Sequence, residues 1–291
     1  AKEAVFHFAE CYIDPGDMAI VPSPGYPPYV RGTHFAEGAC HYLPLLRENG
    51  FLPNLRLVPP AVLSRAKILW INYPNSPSGA LATDAFFEEA VGFARKHGLI
   101  LASDEAYTEI YYGARPRSAL EFGKENVLVF QSLSKRSAMT GYRVGWVAGD
   151  PDVVATFKKI KTNVDSGTPN FVQAAAIEAL SDESHVEAMR AEYRAKRDCL
   201  VQALVGLGLP DCTPQATIYI WQKVPASMSG IEFAERLLQP DAAMVVTPGE
   251  WIADPVDKNS LNPGAGHVRL ALVPSLDDCR RAADRLGKLR F

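Results

Sequence analysis

One lysine in this chain stands among groups that bind anions, directly after a predicted strand. The segment Ser132-Leu-Ser-Lys135-Arg-Ser-Ala-Met-Thr-Gly-Tyr-Arg143 follows an apolar run at residues 127–130. A lysine in such a place can hold an anion as a point charge, or it can form a Schiff base with an aldehyde. The side chains of Ser132, Ser134 and Arg143 add the hydrogen-bond donors that a phosphate needs.

A phosphate and an aldehyde occur together in pyridoxal 5′-phosphate (PLP), so this segment indicates a PLP site. A solvated lysine in a polar surface loop explains the same residues and is the usual fate of a lysine. The segment alone leaves both interpretations open.

A second polar cluster follows the apolar run at residues 99–102. Asp104 stands at the carboxyl end of that predicted strand. An aspartate there can pair with a pyridinium nitrogen and keep it protonated, which makes the ring an electron sink. Tyr107 can donate a hydrogen bond to the phenolic oxygen of the ring. The alternative is an aspartate that caps a loop at a strand end, which is common.

Two proline-rich turns follow other predicted strands. Asn75 and Ser76 lie in the turn Asn72-Tyr-Pro-Asn-Ser-Pro-Ser-Gly79 and offer polar groups to a ligand. Tyr26 is flanked by prolines and gives a rigid surface on which a flat ring can stack. A plain rigid turn and an aromatic side chain that covers the core are the alternatives.

An arginine lies in a late predicted strand, His267-Val-Arg269-Leu-Ala. A guanidinium among apolar residues needs an anionic partner. A substrate carboxylate bound by both prongs would serve. Taken alone, Arg269 favours an internal pair with a carboxylate of the protein.

A sheet must bring these residues together. Nearly continuous apolar runs at residues 18–21, 67–71, 99–102 and 127–130 predict strands that are buried on both faces. A helical pattern at 83–97, with Thr83 to cap its start and Gly98 its end, lies between two of them. The order predicts an α/β fold with a mainly parallel sheet between helices and a ligand site at the carboxyl ends of the strands. We expect a large domain at 1–165, and linking helices with a smaller α+β domain at 166–291.

Composition excludes several classes of protein. The chain has 291 residues, 47% of them apolar, and a formal net charge of −3, so its overall charge does not attract nucleic acid or an anionic membrane. No apolar run has the length of a membrane span. Five scattered cysteines without a C-x-x-C motif predict neither a zinc site nor a disulfide framework. We therefore expect no metal, and reduced thiols indicate a cytoplasmic protein.

The combined pattern resembles a known family. In order along the chain, the shared positions are Tyr26, Asn75-Ser-Pro-Ser-Gly79, Asp104-x-x-Tyr107, Ser132-x-Ser-Lys135, Arg143 and Arg269. The set is similar to the class I/II aminotransferases, which are PLP enzymes of the aspartate aminotransferase family and fold type I. The resemblance covers the whole chain. It implies a ping-pong transfer of an amino group from an amino acid, such as glutamate, to a 2-keto acid.

The resemblance also implies roles for individual residues. Lys135 forms the Schiff base, Asp104 pairs with the pyridine nitrogen, and Tyr107 contacts the ring oxygen. The further cofactor contacts are Ala1, Lys2, Tyr26, Ser76, Ser132, Ser134 and Arg143, and the substrate contacts are Arg269 and Asn75. The resemblance implies a homodimer with small-molecule substrates and with no nucleic-acid or membrane partner.

Two departures from the family pattern stand out. Ser76 occupies the place of an asparagine that usually donates to the ring oxygen. The residues Ala1-Lys2-Glu3 fall inside a phosphate-binding turn that the family begins with a glycine. We therefore expect the natural chain to extend further at its N-terminus.

The sequence predicts the substrate less specifically than the type of reaction. The segment Lys161-Thr-Asn-Val-Asp-Ser-Gly167 and the turn at 72–79 most resemble diaminopimelate and N-succinyldiaminopimelate aminotransferases. They imply the (N-succinyl-)2-amino-6-oxopimelate of lysine biosynthesis as the acceptor. Aspartate, alanine or aromatic specificity, PLP-dependent carbon–sulfur lysis, and a non-catalytic PLP-sensing domain remain alternatives. A nucleotide-binding α/β protein is disfavoured because neither G-x-G-x-x-G nor G-x-x-x-x-G-K-[ST] occurs.

Overall fold

A six-stranded sheet dominates the first half of the chain. The computed structural model describes residues 1–257 and 259–290. The strands in these residues are β1 (Met18–Ser23), β2 (Ala39–Pro44), β3 (Ala66–Asn72), β4 (Ile100–Asp104), β5 (Val127–Ser132), β6 (Gly145–Gly149), β7 (Tyr219–Lys223), β8 (Thr247–Pro248) and β9 (His267–Ala271). The helices are α1 (Lys2–Phe8), α2 (Pro27–Phe35), α3 (Pro60–Leu63), α4 (Asp84–His97), α5 (Leu133–Arg136), α6 (Pro151–Val164), α7 (Asn170–Ser181), α8 (Ser184–Gly206), α9 (Gly230–Leu238) and α10 (Leu276–Leu286).

The order of the large sheet is β2-β1-β3-β4-β5-β6. The first five strands run parallel, and β6 pairs antiparallel with β5. The four predicted apolar runs are β1, β3, β4 and β5, which form the middle of the sheet. The predicted mainly parallel α/β sheet is therefore confirmed.

Helices cover both faces of this sheet. On one face, Phe86 and Phe87 of α4 pack into a core with Leu69 and Leu101. On the other face, α1, α2 and α6 pack around Trp70 and the neighbouring aromatic rings. The start of α4 is capped as predicted, because the Thr83 hydroxyl accepts a hydrogen bond of 3.1 Å from the Phe86 N–H. The apolar runs are long because each middle strand is buried on both faces of the sheet.

Two strands of this sheet were not predicted. The edge strand β2 is only half-buried at most of its positions. The other edge strand, β6, begins and ends with glycine, and its first residues are exposed. Neither segment is continuously apolar, so hydrophobic periodicity does not detect it.

The C-terminal part contains a three-stranded antiparallel sheet in the order β7-β9-β8. Its core joins α8, α9 and α10 through buried residues such as Leu204, Phe233 and Leu286. This small α+β unit agrees with the predicted one. We retain the boundary at 165/166 as a proposal, and it falls just after the end of α6 at Val164.

The sheet register explains where a ligand can bind. Asn72 of β3 lies directly opposite Asp104 of β4, and Asp104 lies opposite Phe130 of β5. The carboxyl ends of the parallel strands therefore meet at one edge of the sheet, beneath the C-terminal unit. None of the helices in the described residues has the length and apolar character that a membrane span requires.

Candidate active site

A cavity of about 560 Å³ opens at the carboxyl ends of β1, β3, β4 and β5, and Tyr219 of β7 and Arg269 of β9 also line it. We call it the strand-end cavity. It brings together eleven of the twelve predicted site residues: Ala1, Lys2, Tyr26, Ser76, Asp104, Tyr107, Ser132, Ser134, Lys135, Arg143 and Arg269. The twelfth, Asn75, lies outside it.

Lys135 reaches the cavity from the short helix α5. The Ser132 hydroxyl caps this helix and accepts a hydrogen bond of 3.1 Å from the Ser134 N–H. That bond leaves the hydroxyl hydrogen of Ser132 available to an anion. The Lys135 ammonium lies 5.6 Å from the ring centroid of Tyr107. Within residues 1–257 and 259–290 the Lys135 ammonium forms no ion pair, so the amine can meet a ligand.

Asp104 is a buried carboxylate that lines the cavity. It is only 6% exposed, and no salt bridge to it occurs in the part of the chain that the structure describes. Its Oδ2 accepts a hydrogen bond of 2.7 Å from the Tyr29 hydroxyl, and its Oδ1 accepts one of 3.2 Å from the Ala106 N–H. Burial raises the pKa of Asp104, and these two hydrogen bonds oppose that shift. A cation that binds beside Asp104 would stabilise its ionised form.

Two arginines also line the cavity. The Arg143 side chain donates a hydrogen bond of 2.7 Å to the Thr140 carbonyl oxygen, and its backbone is left-handed with φ 56°. The Arg269 guanidinium lies 4.6 Å from the ring centroid of Tyr219. Among the described residues neither arginine contacts a carboxylate, so the internal ion pair considered for Arg269 is absent there. Each guanidinium can therefore bind an anionic group of a ligand.

Tyrosines form the aromatic part of the wall. Tyr107 is buried, with its ring centroid 6.1 Å from that of Tyr219. Burial first, and then Tyr219, raise the pKa of Tyr107 well above its usual value, so its hydroxyl remains a donor. Tyr26 is 37% exposed and meets Tyr29 edge-on, with ring centroids 5.8 Å apart. Part of the Tyr26 ring is therefore open to a flat ligand.

The turn after β3 differs from the expectation. Asn75 is fully buried, and its side-chain oxygen accepts hydrogen bonds from the backbone and hydroxyl of Ser78. Those bonds within the turn hold the amide away from the strand-end cavity. The neighbouring Ser76 and Asn72 line the cavity instead. The Asn72 amide joins the two strands, because it donates to the backbone oxygen of Asp104 at 2.8 Å.

Sequence reasoning missed three residues of this site: Asn72, Tyr219 and Tyr29. Tyr29 is hydrogen-bonded to Asp104 but does not line the cavity, whereas Asn72 and Tyr219 do. Asn72 could have been found from its place at the end of a predicted strand. For Tyr29 and Tyr219 the sequence carries no comparable signal, because their positions depend on helix docking and on the packing of the two units.

The functional groups in the cavity fit PLP. Lys135 can meet its aldehyde, Asp104 can receive a protonated ring nitrogen, and Arg143 with the two serines can bind a phosphate. Arg269 remains for a second anion, such as a carboxylate.

Comparison with known proteins agrees with this geometry. The family model described as Aminotransferase class I and II matches residues 1–286. The chain belongs to the aminotransferase class I and II family. It is a PLP-dependent aminotransferase of fold type I, as the resemblance implied, and it moves an amino group from an amino acid to a 2-keto acid.

Similar proteins carry more specific names. The chain is 44% identical over 299 residues to an LL-diaminopimelate aminotransferase of Desulforudis audaxviator, and 42% identical over 295 residues to one of Syntrophobacter fumaroxidans. Each alignment covers 100% of this chain and 74% of the relative.

Two solved structures show the same architecture at 32% sequence identity. An aminotransferase from Neisseria meningitidis gives a TM-score of 0.92, with 100% of this chain and 75% of that chain covered. A probable N-succinyldiaminopimelate aminotransferase from Thermus thermophilus gives 0.89, with 99% and 75% covered.

Proposed function

We propose that this aminotransferase transfers an amino group between LL-diaminopimelate and a 2-keto acid, and that the strand-end cavity is its active site. The site is supported by one observation: Lys135, Arg143, Arg269 and the buried Asp104 line a single cavity, and within the described residues none of them forms a salt bridge. PLP supplies an electron sink for negative charge at the α-carbon of the substrate. The protein must hold PLP and move the proton of the substrate α-carbon.

The residues that line the cavity would hold PLP in the way that the family resemblance implies. Asp104 would receive the ring nitrogen and favour its protonated form, and Tyr107 would donate to the ring oxygen. Tyr26 would offer its ring to the flat cofactor. Arg143 would bind the phosphate together with Ser132, Ser134 and the N-terminal residues Ala1 and Lys2. Ser76 would contribute a hydroxyl in the place where the family usually has an asparagine.

Lys135 would hold the cofactor aldehyde through its amine. The same amine, when free, would act as a general base and take the proton from the α-carbon of the substrate. Arg269 binds the α-carboxylate and fixes the substrate in the orientation that this proton transfer requires. Asn75 is left out of the substrate contacts because its amide is bonded within its own turn.

The choice of substrate rests on the relatives. The relatives at 40–44% identity are named LL-diaminopimelate aminotransferases, whereas the structure named for the N-succinylated substrate is 32% identical. We therefore favour the free form of diaminopimelate, with 2-oxoglutarate and glutamate as the second pair. The cavity volume is within the usual range for a small-molecule site.

We further propose that the enzyme works as a homodimer in a reducing cytoplasm. All five cysteines are unpaired. Several large apolar side chains, among them Phe171 and Ile177 of α7, are exposed and offer a surface for a second copy. Sedimentation of the enzyme with PLP tests this point, and a monomer at micromolar concentration would contradict it.

The half-reaction provides the direct test of substrate choice. The PLP-loaded enzyme is mixed separately with LL-diaminopimelate, N-succinyl-LL-diaminopimelate, glutamate, aspartate, alanine and phenylalanine. Absorbance follows the conversion of the cofactor, and mass spectrometry identifies the keto acid. We expect LL-diaminopimelate and glutamate to react with the highest kcat/KM.

Other outcomes would identify the rival functions. A higher kcat/KM for the succinylated compound, or for aspartate, alanine or phenylalanine, would overturn the substrate assignment. Release of pyruvate from a thioether amino acid without a keto-acid acceptor would indicate a lyase. No conversion with any amino acid would indicate a sensing domain.

A further inference from the structure

The hydroxyl of Tyr29 is connected to the cavity through Asp104. It donates a hydrogen bond of 2.7 Å to Oδ2 of Asp104. Tyr29 is 1% exposed and does not line the strand-end cavity, whereas Asp104 does. The contact joins α2 to the end of β4, 75 residues apart in sequence. The ring of Tyr29 also meets Tyr26 of the cavity wall, so it is the effect of the Tyr29 hydroxyl that passes through the carboxylate.

The Tyr29 ring is held firmly in place. It stacks on the Trp70 indole of β3 with ring centroids 4.6 Å apart and an interplanar angle of 17°. The Thr33 hydroxyl, one turn later on α2, donates 2.7 Å to the Tyr29 carbonyl oxygen. The Tyr26 ring closes a third side edge-on. Because the ring is packed on several sides, the position of its hydroxyl oxygen is fixed by the core.

The hydrogen bonds on Asp104 fix the carboxylate as well. One oxygen is bound by Tyr29 and the other by the Ala106 N–H, while Asn72 binds the backbone carbonyl of the same residue. Two donors on different oxygens set both the position and the rotation of the carboxylate group. A carboxylate held this way needs little reorganisation when a cation binds beside it.

The titration behaviour of Asp104 and Tyr29 is consistent with this geometry. Burial raises the pKa of Asp104, and a hydrogen bond donated to the ionised form opposes that rise. Burial first, and then Asp104 itself, raise the pKa of Tyr29 well above its usual value, so the phenol remains a donor across the working pH range. The other titratable groups that act on this pair are the side chains of Tyr26, Tyr107 and Glu105 and the amino group of Ala1.

We propose that Tyr29 is a positioning residue that keeps the Asp104 carboxylate ionised and oriented toward the strand-end cavity. The inference rests on the proposed function in one respect, namely that this carboxylate receives the ring nitrogen of PLP. Tyr29 then controls how strongly that nitrogen holds its proton, although it never touches the cofactor.

The test compares the wild type with Tyr29→Phe, which keeps the stacked ring and removes only the hydroxyl. Tyr73→Phe is the matched control, because the buried Tyr73 also donates one hydrogen bond, of 2.6 Å to the Phe51 carbonyl oxygen, at a site away from Asp104. Urea unfolding of both variants shows whether they fold and measures the general cost of a lost buried hydroxyl.

The first readout uses the protein without PLP. With aspartate labelled at the side-chain carboxyl carbon, NMR follows the titration of Asp104, whose signal is identified by its loss in Asp104→Asn. We expect Tyr29→Phe to raise the proton affinity of Asp104 about tenfold, the effect of one lost hydrogen bond to a charged group. Tyr73→Phe should leave the titration unchanged. An Asp104 titration in Tyr29→Phe that matches the wild type would overturn the proposal.

The second readout uses the enzyme loaded with PLP labelled with ¹⁵N in its ring. We expect the ring nitrogen to be less protonated in Tyr29→Phe, and kcat to fall about tenfold while KM for glutamate changes less than twofold. An unchanged nitrogen signal would refute the link to the cofactor. If the wild type converts no amino acid, the proposed function fails, yet the titration without PLP still decides whether Tyr29 controls Asp104.

Discussion

Replacing Arg269 with glutamine tests how the enzyme orients its substrates. Among the described residues the guanidinium has no carboxylate partner, and its remaining contact is the Tyr219 ring at 4.6 Å. In a ping-pong reaction the α-carboxylates of the donor and the acceptor occupy the same place in turn. The variant should therefore weaken the use of both substrates to a similar degree.

The size of the effect follows from what is lost. Removing one partner of a bidentate pair between arginine and carboxylate costs about 2–3 kcal/mol of binding free energy. That range corresponds to a decrease of roughly 30- to 150-fold in kcat/KM. The stability of the free protein should change by only about 0.5–1 kcal/mol, because within the described residues the guanidinium loses a cation–π contact and no ion pair.

Steady-state kinetics with the donor and the acceptor varied in turn measures both values of kcat/KM. Arg190→Gln is the matched control, because Arg190 also lies over a tyrosine ring, 4.0 Å from the Tyr111 centroid, and forms an ion pair with Glu109. We expect this control to lower stability but to keep kcat/KM within twofold. If Arg269→Gln impaired only one of the two substrates, Arg269 would be a side-chain selector and the reasoning would be wrong.

Three further changes probe other parts of the site. Borohydride reduction and peptide mapping should find PLP attached to Lys135, and Lys135→Ala should abolish the label, so a label on another lysine would contradict the assignment. Asp104→Asn should lower kcat by about 10³-fold or more while the fold stays intact, since a neutral amide cannot hold the ring proton, and near-normal activity would place Asp104 away from the ring. Burial raises the pKa of Glu105 from 4.5 to about 7, so the unfolding free energy of the wild type should fall by roughly 3 kcal/mol as the pH rises through that range. Urea titrations should show this loss to be absent in Glu105→Gln, and an equal loss in the variant would mean that Glu105 does not cause it.

The strongest local signals in the sequence concerned the middle of the sheet. Strands buried on both faces must be apolar throughout, so β1, β3, β4 and β5 could be predicted before any pairing was known. Their carboxyl ends then located the polar residues, because parallel strands place these ends at one edge. Lys135 and Asp104 follow two of these strands, whereas Arg143 was joined to them by the resemblance to the aminotransferase family.

Other features could not be predicted from the sequence, also for physical reasons. The strands β2 and β6 lie at the edges and are partly exposed, so their residues follow no clean period. Asn75 and Ser76 are neighbours of similar polarity, and only the folded turn decides that the asparagine bonds inward while the serine faces the cavity.

Sequence by itself determined the residue types proposed for the chemistry and the middle strands that carry them. Only the tertiary structure decided which groups support them. Tyr29 meets Asp104 because α2 docks on β3, and Tyr219 meets Arg269 through the geometry of the small sheet. Such contacts join residues far apart in the chain and depend on distances of a few ångströms. Periodicity and motif spacing report burial and local order, and they contain no such distances.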